Sequence, residues 1–277
     1  MNKKACNLCP HHCELAEGQI GFCRTRCNDN GQIKSLNYGR VTSLAIDPIE
    51  KKPLYHFYPG SVILSLGSFG CNMACPFCQN HTISQGGERE VRWQLSPVQL
   101  AELAQESGQK YGSIGVAFTY NEPLLSYEYL RDTLPLLRQK GQKTVLVTNG
   151  QIEEELLREL LPYVDAMNID LKTFAEKTYA KLRGSLRAAQ RTIQMAAEAG
   201  VHVEVTTLVV PGISDDVNEF CEEVDWLAAV SREIPLHLSR YFPRYQYKAP
   251  VTPLDKLYEL QRIAQKCMKY VYLGNVG

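Results

Sequence analysis

The chain has no excess of charge of either sign: 30 lysines and arginines balance 30 aspartates and glutamates, and no block of like charge interrupts the balance. A basic arm and an acidic tail are both missing, so nothing electrostatic indicates a nucleic-acid partner. Long hydrophobic runs are missing as well. No stretch reaches the roughly 18 apolar residues that would span a bilayer, and the opening MNKKACNLCP lacks the apolar core of an export signal. The expectation is a cytoplasmic protein without a membrane. Repeats and low-complexity segments do not stand out.

What is present is enough for a sizeable core. The 277 residues are 44% hydrophobic, a length that fits one large α/β domain or two small ones. Cysteine is plentiful, at ten. Without an export signal these are not read as disulfides, because the cytosol keeps thiols reduced. Eight fall in two bursts, Cys6, Cys9, Cys13, Cys23 and Cys27, then Cys71, Cys75 and Cys78, which is how metal ligands cluster. Cys221 and Cys267 sit singly in helical-looking segments and are read as small buried hydrophobes.

After the second burst the chain becomes regular. Strands are expected at 61–66, 114–119, 144–148, 166–171, 201–209 and 235–241, with 270–274 as an extra one. Helices are expected from Ser96 and Pro97 onward, at 127–139, 152–161, 173–199 with a break at Gly184 and Ser185, 215–229 and 254–267. Six strand–helix alternations imply parallel strands with right-handed crossovers. Polar clusters follow successive strands: TYNEP, TNG, DLK, VVPG and SRYFP. Residues at the C-terminal ends of barrel strands converge on one mouth. The fold class is therefore α/β, a partial (β/α)6 barrel over residues 59–277, preceded by a small Cys-rich metal-binding extension over 1–58.

The second burst, CNMACPFC, spaces its cysteines C-x3-C-x2-C. A closed zinc site or a fully ligated iron–sulfur cluster takes four protein ligands. Three thiolates hold three corners of a four-iron cluster and leave the fourth iron open to the amino and carboxylate groups of a small molecule. The competing reading is a zinc knuckle that borrows His81. The segment, with Phe77 just before the last cysteine, closely resembles radical S-adenosylmethionine (SAM) enzymes. That resemblance implies a 4Fe-4S cluster on Cys71, Cys75 and Cys78, and SAM as the second cofactor. It further implies reductive cleavage of SAM to a 5′-deoxyadenosyl radical that takes hydrogen from a substrate. The electron would come from a flavodoxin or ferredoxin.

Site residues follow from the same resemblance. TYNEP stands where the family has a glycine-rich turn that meets the methionine amino group, which makes Glu122 the candidate, although Tyr120 and Asn121 replace the usual glycines. Asn149 and Phe77 face the cofactor. NIDLK resembles the motif of glycyl-radical activating enzymes, with Lys172 pairing the cofactor carboxylate and Asp170 on the substrate side. Thr207, in TLVVPG, is placed against adenine, and His237, in LHLSRYFP, resembles a ribose-side histidine.

The first eighty residues, from CNLCPHHCELAEGQIGFCRTR through QNHTISQ, resemble the branch found in the AmmeMemoRadiSam system, named for accompanying Memo-like and AMMECR-like proteins. Those are implied partners, beside a protein or small-molecule substrate. A glycyl-radical activase related to pyruvate formate-lyase activating enzyme is the alternative, and a non-catalytic iron–sulfur electron carrier or a zinc-stapled module are further ones. In the first burst Cys6, Cys9, Cys13 and Cys23 suffice for a tetrahedral zinc site. A second cluster is the rival, Cys27 is spare, and His11 or His12 can replace one thiol.

Overall fold

The computed structural model describes residues 3–276. Its centre is one eight-stranded sheet in sequential order. The strands are β1 (Ser43–Pro48), β2 (Val62–Gly67), β3 (Ser113–Phe118), β4 (Lys143–Thr148), β5 (Ala166–Asp170), β6 (His202–Val209), β7 (Leu236–Arg240) and β8 (Val271–Gly274). Strands β2 to β8 pair in parallel, whereas β1 lies antiparallel on β2. The longer α-helices between them are α1 (Pro97–Tyr111), α2 (Tyr127–Gln139), α3 (Glu154–Leu160), α4 (Glu176–Lys181), α5 (Leu186–Glu198), α6 (Val217–Val230) and α7 (Leu254–Ala264). This is the expected partial β/α barrel, open between the edges β1 and β8. Among the described residues no helix is long and apolar enough to cross a membrane.

Local chemistry sets the helix ends. Ser96 and Gln99 form a reciprocal capping box ahead of Pro97, and α1 stops at Gly112 in the left-handed conformation. Ser185 caps α5 through the Ala188 N–H, and Asp216 caps α6. The expected break at Gly184 has a packing reason. A Cβ there would sit 2.7 Å from Met73 Cε and 3.0 Å from the Tyr179 ring, so the chain passes only without a side chain.

The Cys-rich segment is built differently from the barrel. Three two-stranded ribbons form it, Lys4–Ala5 with Glu14–Leu15, Arg26–Asp29 with Gln32–Ser35, and Arg40–Val41 with Trp93–Gln94. The boundary expected at residue 58 falls inside a shared structure, since β1 is an edge strand of the barrel sheet. The strap that follows β1 enters the barrel. Ile49, Leu54 and Phe57 pack on Ile63, Ala117, Val145 and Ala166 and fill the N-terminal end. Fully burying side chains of this size stabilises by about 1.5–3 kcal/mol each. The strap thus closes the floor and leaves the C-terminal mouth open.

Candidate active site

The loop after β2 carries Cys71, Cys75 and Cys78. Asn121 holds its start, accepting from the Ser68 N–H at 2.9 Å and donating to the Phe69 and Gly70 carbonyls at 3.1 Å each. Gly70 has φ 88°, and a Cβ there would meet Thr25 Cγ2 at 2.3 Å and the Cys23 carbonyl at 2.5 Å. Only glycine lets the Cys-rich segment lie this close to the loop. Cys71 Sγ accepts from the Met73 N–H at 3.4 Å and from Asn149 Nδ2 at 3.6 Å, and Cys78 Sγ lies 3.2 Å from Ser84 Oγ. Burial pushes the Cys71 thiol well above its ordinary value, with the Glu122 carboxyl adding to the effect. Burial likewise lifts Cys75 to about 12, against the pull of the Lys172 ammonium. Ligating a metal requires these thiols to give up their protons.

The three cysteines line a cavity of about 510 Å³ at the barrel mouth, together with Phe77, Glu122, Asn149, Asp170, Lys172 and His237. Residues expected from five separate strands and their loops therefore share one space. Glu122 is buried, and its carboxylate accepts from Thr148 Oγ1 at 2.7 Å, the Leu124 N–H at 2.9 Å and the Asn149 N–H at 2.8 Å. Burial outweighs these bonds and raises it to about 7. Asn149 Nδ2 also donates to Asn72 Oδ1 at 3.0 Å, so its amide links the TNG turn to the cysteine loop. Lys172 Nζ lies 2.8 Å from Asp170 Oδ2. Burial works against the Lys172 charge, but Asp170 and the Cys75 sulfur outweigh it and keep the ammonium charged. Phe77 is buried, with Tyr247 edge-on at 6.4 Å.

Two expectations are corrected. Thr207 does not face the cavity, because side chains alternate along β6. Its hydroxyl donates to the Glu223 carboxyl of α6, outside the barrel, and Thr206 and Leu208 line the cavity instead. His237 does line the cavity, at its floor. Its Nε2 lies 2.6 Å from Glu204 Oε2, with Tyr55 edge-on at 4.7 Å and Tyr272 stacked at 5.5 Å. Cys221 and Cys267 are half-buried rather than core residues.

Glu204 escaped the sequence reading. It is fully buried, and each oxygen takes one backbone N–H and one imidazole: Oε1 from His56 at 2.8 Å and His202 at 2.9 Å, Oε2 from Tyr55 at 3.0 Å and His237. Asn168 Nδ2 donates to the Pro53 carbonyl at 2.8 Å beside it. These inward groups clamp the strap, and Pro53 and Tyr55 become the cavity floor. A lone acid amid the apolar residues of HVEVTTLVV was the available signal, since a buried charge demands partners.

In the first burst Cys6, Cys9 and Cys23 are buried, while Cys13 and Cys27 are half-buried. Burial raises Cys6, and raises Cys9 to about 12. His11 Nε2 is 2.7 Å from the Asn72 carbonyl, which seats this segment on the cysteine loop. Among the described residues no three Cys, His, Asp or Glu side chains are gathered tightly enough to cage a single ion. A four-iron cube spaces its thiolates around its own body, so the second-burst loop does not need such a cage.

Comparison with known proteins decides the family. The model of the radical SAM superfamily matches residues 66–224, which includes the cysteine loop and strands β3 to β6. The chain belongs to the radical SAM superfamily. Radical SAM enzymes use a 4Fe-4S cluster and SAM, and the residues present fit both: three thiols on one loop, with a charged Lys172 and the Glu122 carboxyl across the same cavity. Uncharacterized protein MJ0808 of Methanocaldococcus jannaschii is 41% identical over 279 residues, 99% of this chain and 82% of that one. Pyruvate formate-lyase 1-activating enzyme of Escherichia coli is 30% identical over 153 residues, which spans 53% of this chain and 61% of the enzyme. Streptococcus suis SuiB bound to S-adenosylmethionine shares the fold with a TM-score of 0.58 at 18% identity, over 78% of this chain and 52% of that one.

Proposed function

We propose that this radical SAM enzyme is of the AmmeMemoRadiSam type and abstracts hydrogen from a protein or small-molecule substrate held in the barrel mouth. The observation that carries the reading is the single cavity in which Cys71, Cys75 and Cys78 face Glu122, Asp170 and Lys172. When bound, the cluster supplies one electron for cleavage of SAM. The chain's own residues do the positioning. Cys71, Cys75 and Cys78 hold the cluster and leave one iron without a protein thiolate. Glu122 and Asn149 receive the amino end of SAM, and Lys172 meets its carboxylate with a charge-assisted bond. Phe77 packs at the adenosine side. Asp170 is shared between Lys172 and the substrate, and the floor of Pro53, Tyr55 and His237 keeps water from entering behind it. An acidic one-electron carrier, flavodoxin or ferredoxin, supplies the electron, and Memo-like and AMMECR-like proteins are the proposed partners.

The branch reading rests on the resemblance of the first eighty residues; the match to MJ0808 runs over the Cys-rich segment as well, whereas the activating-enzyme match covers about half the chain. That second match favours the alternative, a glycyl-radical activase. The Cys6, Cys9, Cys13 and Cys23 thiols are proposed as a separate metal site, zinc or a second cluster. Anaerobic reconstitution with iron and sulfide, reduction by dithionite and an assay for 5′-deoxyadenosine test the reading. The parent forms it, and alanine at Cys71, Cys75 or Cys78 abolishes it; a variant with full cleavage sinks the assignment. For the first burst, a Cys6→Ala, Cys9→Ala double variant loses zinc or iron relative to the parent, and unchanged metal content refutes the second site.

A further inference from the structure

The outer face of the cysteine loop is framed by cations that have no carboxylate partner. Three segments bond to the loop backbone. The Leu182 carbonyl accepts from the Ala74 N–H at 2.9 Å, the Pro76 carbonyl accepts from the Gln246 and Tyr247 N–H groups at 2.9 Å each, and Gln85 Nε2 donates to the Met73 carbonyl at 3.1 Å. Arg24 Nη1 donates to Gln85 Oε1 at 2.9 Å and so sits at the same edge. These segments carry Arg24, Lys181, Arg183, Arg187, Arg244 and Lys248, all exposed. None of the six makes an ion pair among the described residues, whereas some cations elsewhere do, as in Lys143 with Asp165, Arg158 with Glu154 and Lys269 with Glu233.

The sequence repeats the asymmetry. Residues 18–28, 71–87, 180–197 and 242–254, the stretches that make and frame this face, contain no aspartate or glutamate, in a chain whose charges otherwise balance. The loop itself is thinly covered here, with Ala74 and Pro76, which do not line the cavity, only half-buried. Phe22, beside Arg24 in sequence, is exposed and packs only its flank on His11 at 4.7 Å, so the basic rim includes an accessible aromatic. The barrel mouth, where substrate enters, lies on the cavity side of the same loop.

We propose that this basic face is the docking surface for an acidic one-electron carrier protein, which delivers its electron through the outside of the cysteine loop while substrate occupies the mouth. The inference rests on the radical SAM reading given above. A ring of unpaired cations around a thin wall attracts a protein of opposite sign and orients its redox group toward that wall. A neutral chain overall has no general attraction for polyanions, so the local ring provides the selectivity.

The test uses the full chain with its cluster reconstituted, and an Arg187→Glu, Arg244→Glu double variant. Both positions are exposed, lie on different segments and are outside the cavity lining; Glu near the start of α5 also suits the helix dipole. The first readout is binding of flavodoxin, followed by flavin fluorescence anisotropy at low and high salt. The parent binds with strong salt dependence, and the variant binds at least about tenfold more weakly with a shallower salt slope. The second readout is 5′-deoxyadenosine formation with two reductants. Dithionite, which needs no docking, drives parent and variant equally, while reduced flavodoxin drives the variant at least about tenfold more slowly at subsaturating carrier. Equal flavodoxin affinity and equal flavodoxin-driven rates in the two proteins overturn the docking surface. So does an effect confined to binding of single-stranded RNA. A parent that fails to cleave SAM even with dithionite refutes the enzymatic reading, and the binding arm still judges the surface.

Discussion

Replacing Glu204 with glutamine changes one atom's chemistry and leaves shape almost untouched, which isolates the role of the clamp under the cavity. In the parent, each carboxylate oxygen accepts one backbone N–H and one imidazole nitrogen. Glutamine turns one of those oxygens into an NH2 group. An imidazole can present its other tautomer to a donor, but a backbone N–H cannot, so either Tyr55 or His56 is left facing a donor in a fully buried place. An unsatisfied buried group costs about 1–3 kcal/mol, and the lost charge-assisted bonds add to that, for a total of about 2–4 kcal/mol. At about 2–4 °C per kcal/mol for domains somewhat smaller than this chain, Tm falls by about 4–16 °C. The pH dependence has a defined sign. Burial opposes the Glu204 charge, but His202, His237 and the two N–H groups outweigh it and hold the carboxyl at about 2. A depressed carboxyl contributes stability above its unfolded value and loses it as pH falls toward the folded one. The gap between parent and Glu204→Gln is therefore flat around neutrality and narrows below about pH 4.5. Thermal melts of both proteins across this range decide it. A Tm within about 1 °C of the parent at neutral pH would refute the clamp.

Other perturbations separate cofactor binding from folding. Lys172→Ala weakens SAM binding by about tenfold to a hundredfold, the worth of one charge-assisted bond, while iron and sulfide content stay at parent levels; titrations that show unchanged affinity count against the pairing. Thr207→Val leaves SAM affinity unchanged and lowers stability by about 1–3 kcal/mol through the stranded Glu223 carboxyl, so an affinity loss restores Thr207 to the cavity. Glu223 itself is lifted by burial to about 8, which makes it a neutral acid at pH 7. A raised carboxyl contributes fully below its unfolded value near 4.5 and loses that stability as pH rises through 8. Glu223→Gln accordingly flattens the fall in Tm between about pH 4.5 and 8, and parallel curves for parent and variant show that Glu223 ionises freely.

The alternation of strands and helices was legible because parallel strands covered on both faces read as unbroken apolar runs, and the helix over 127–139 coincides with Tyr127–Gln139. The same property hid which residues point inward. In HVEVTTLVV nearly every residue is apolar or β-branched, so Thr206 and Thr207 are equivalent on sequence. Only the polar residues at period two, His202, Glu204 and Thr206, carry the phase, and they place Thr207 on the helix side. Strand β1 was invisible for a different reason. Its run SLAIDP ends in aspartate and proline, which are rare within strands, and its pairing to β2 is antiparallel across an edge. The cysteine loop was legible because ligand spacing is local, whereas the strap's place in the floor depends on Asn168 and Glu204 more than a hundred residues away.

Strand β1 also explains how the TYNEP turn tolerates tyrosine where the resemblance leads one to expect glycine. Tyr120 has φ 71°, a left-handed conformation that costs a non-glycine residue about 1–2 kcal/mol. Three contacts offset it. The Tyr120 hydroxyl donates to Asp47 Oδ2 at 2.5 Å, Lys52 Nζ lies over its ring at 4.7 Å, and Gly67 leaves the ring its space, since a Cβ there would come within 2.9 Å of Tyr120 Cδ2. Burial disfavours the Asp47 charge, but Lys52 and the Tyr120 hydroxyl outweigh it and hold the carboxyl well below the usual range, so the pair stays ionised inside the barrel. Asp47 belongs to β1 and Lys52 to the strap. The segment before the barrel therefore does more than cap it: it supplies the two charges that let a phenol, rather than bare backbone, form one wall of the cavity next to Glu122.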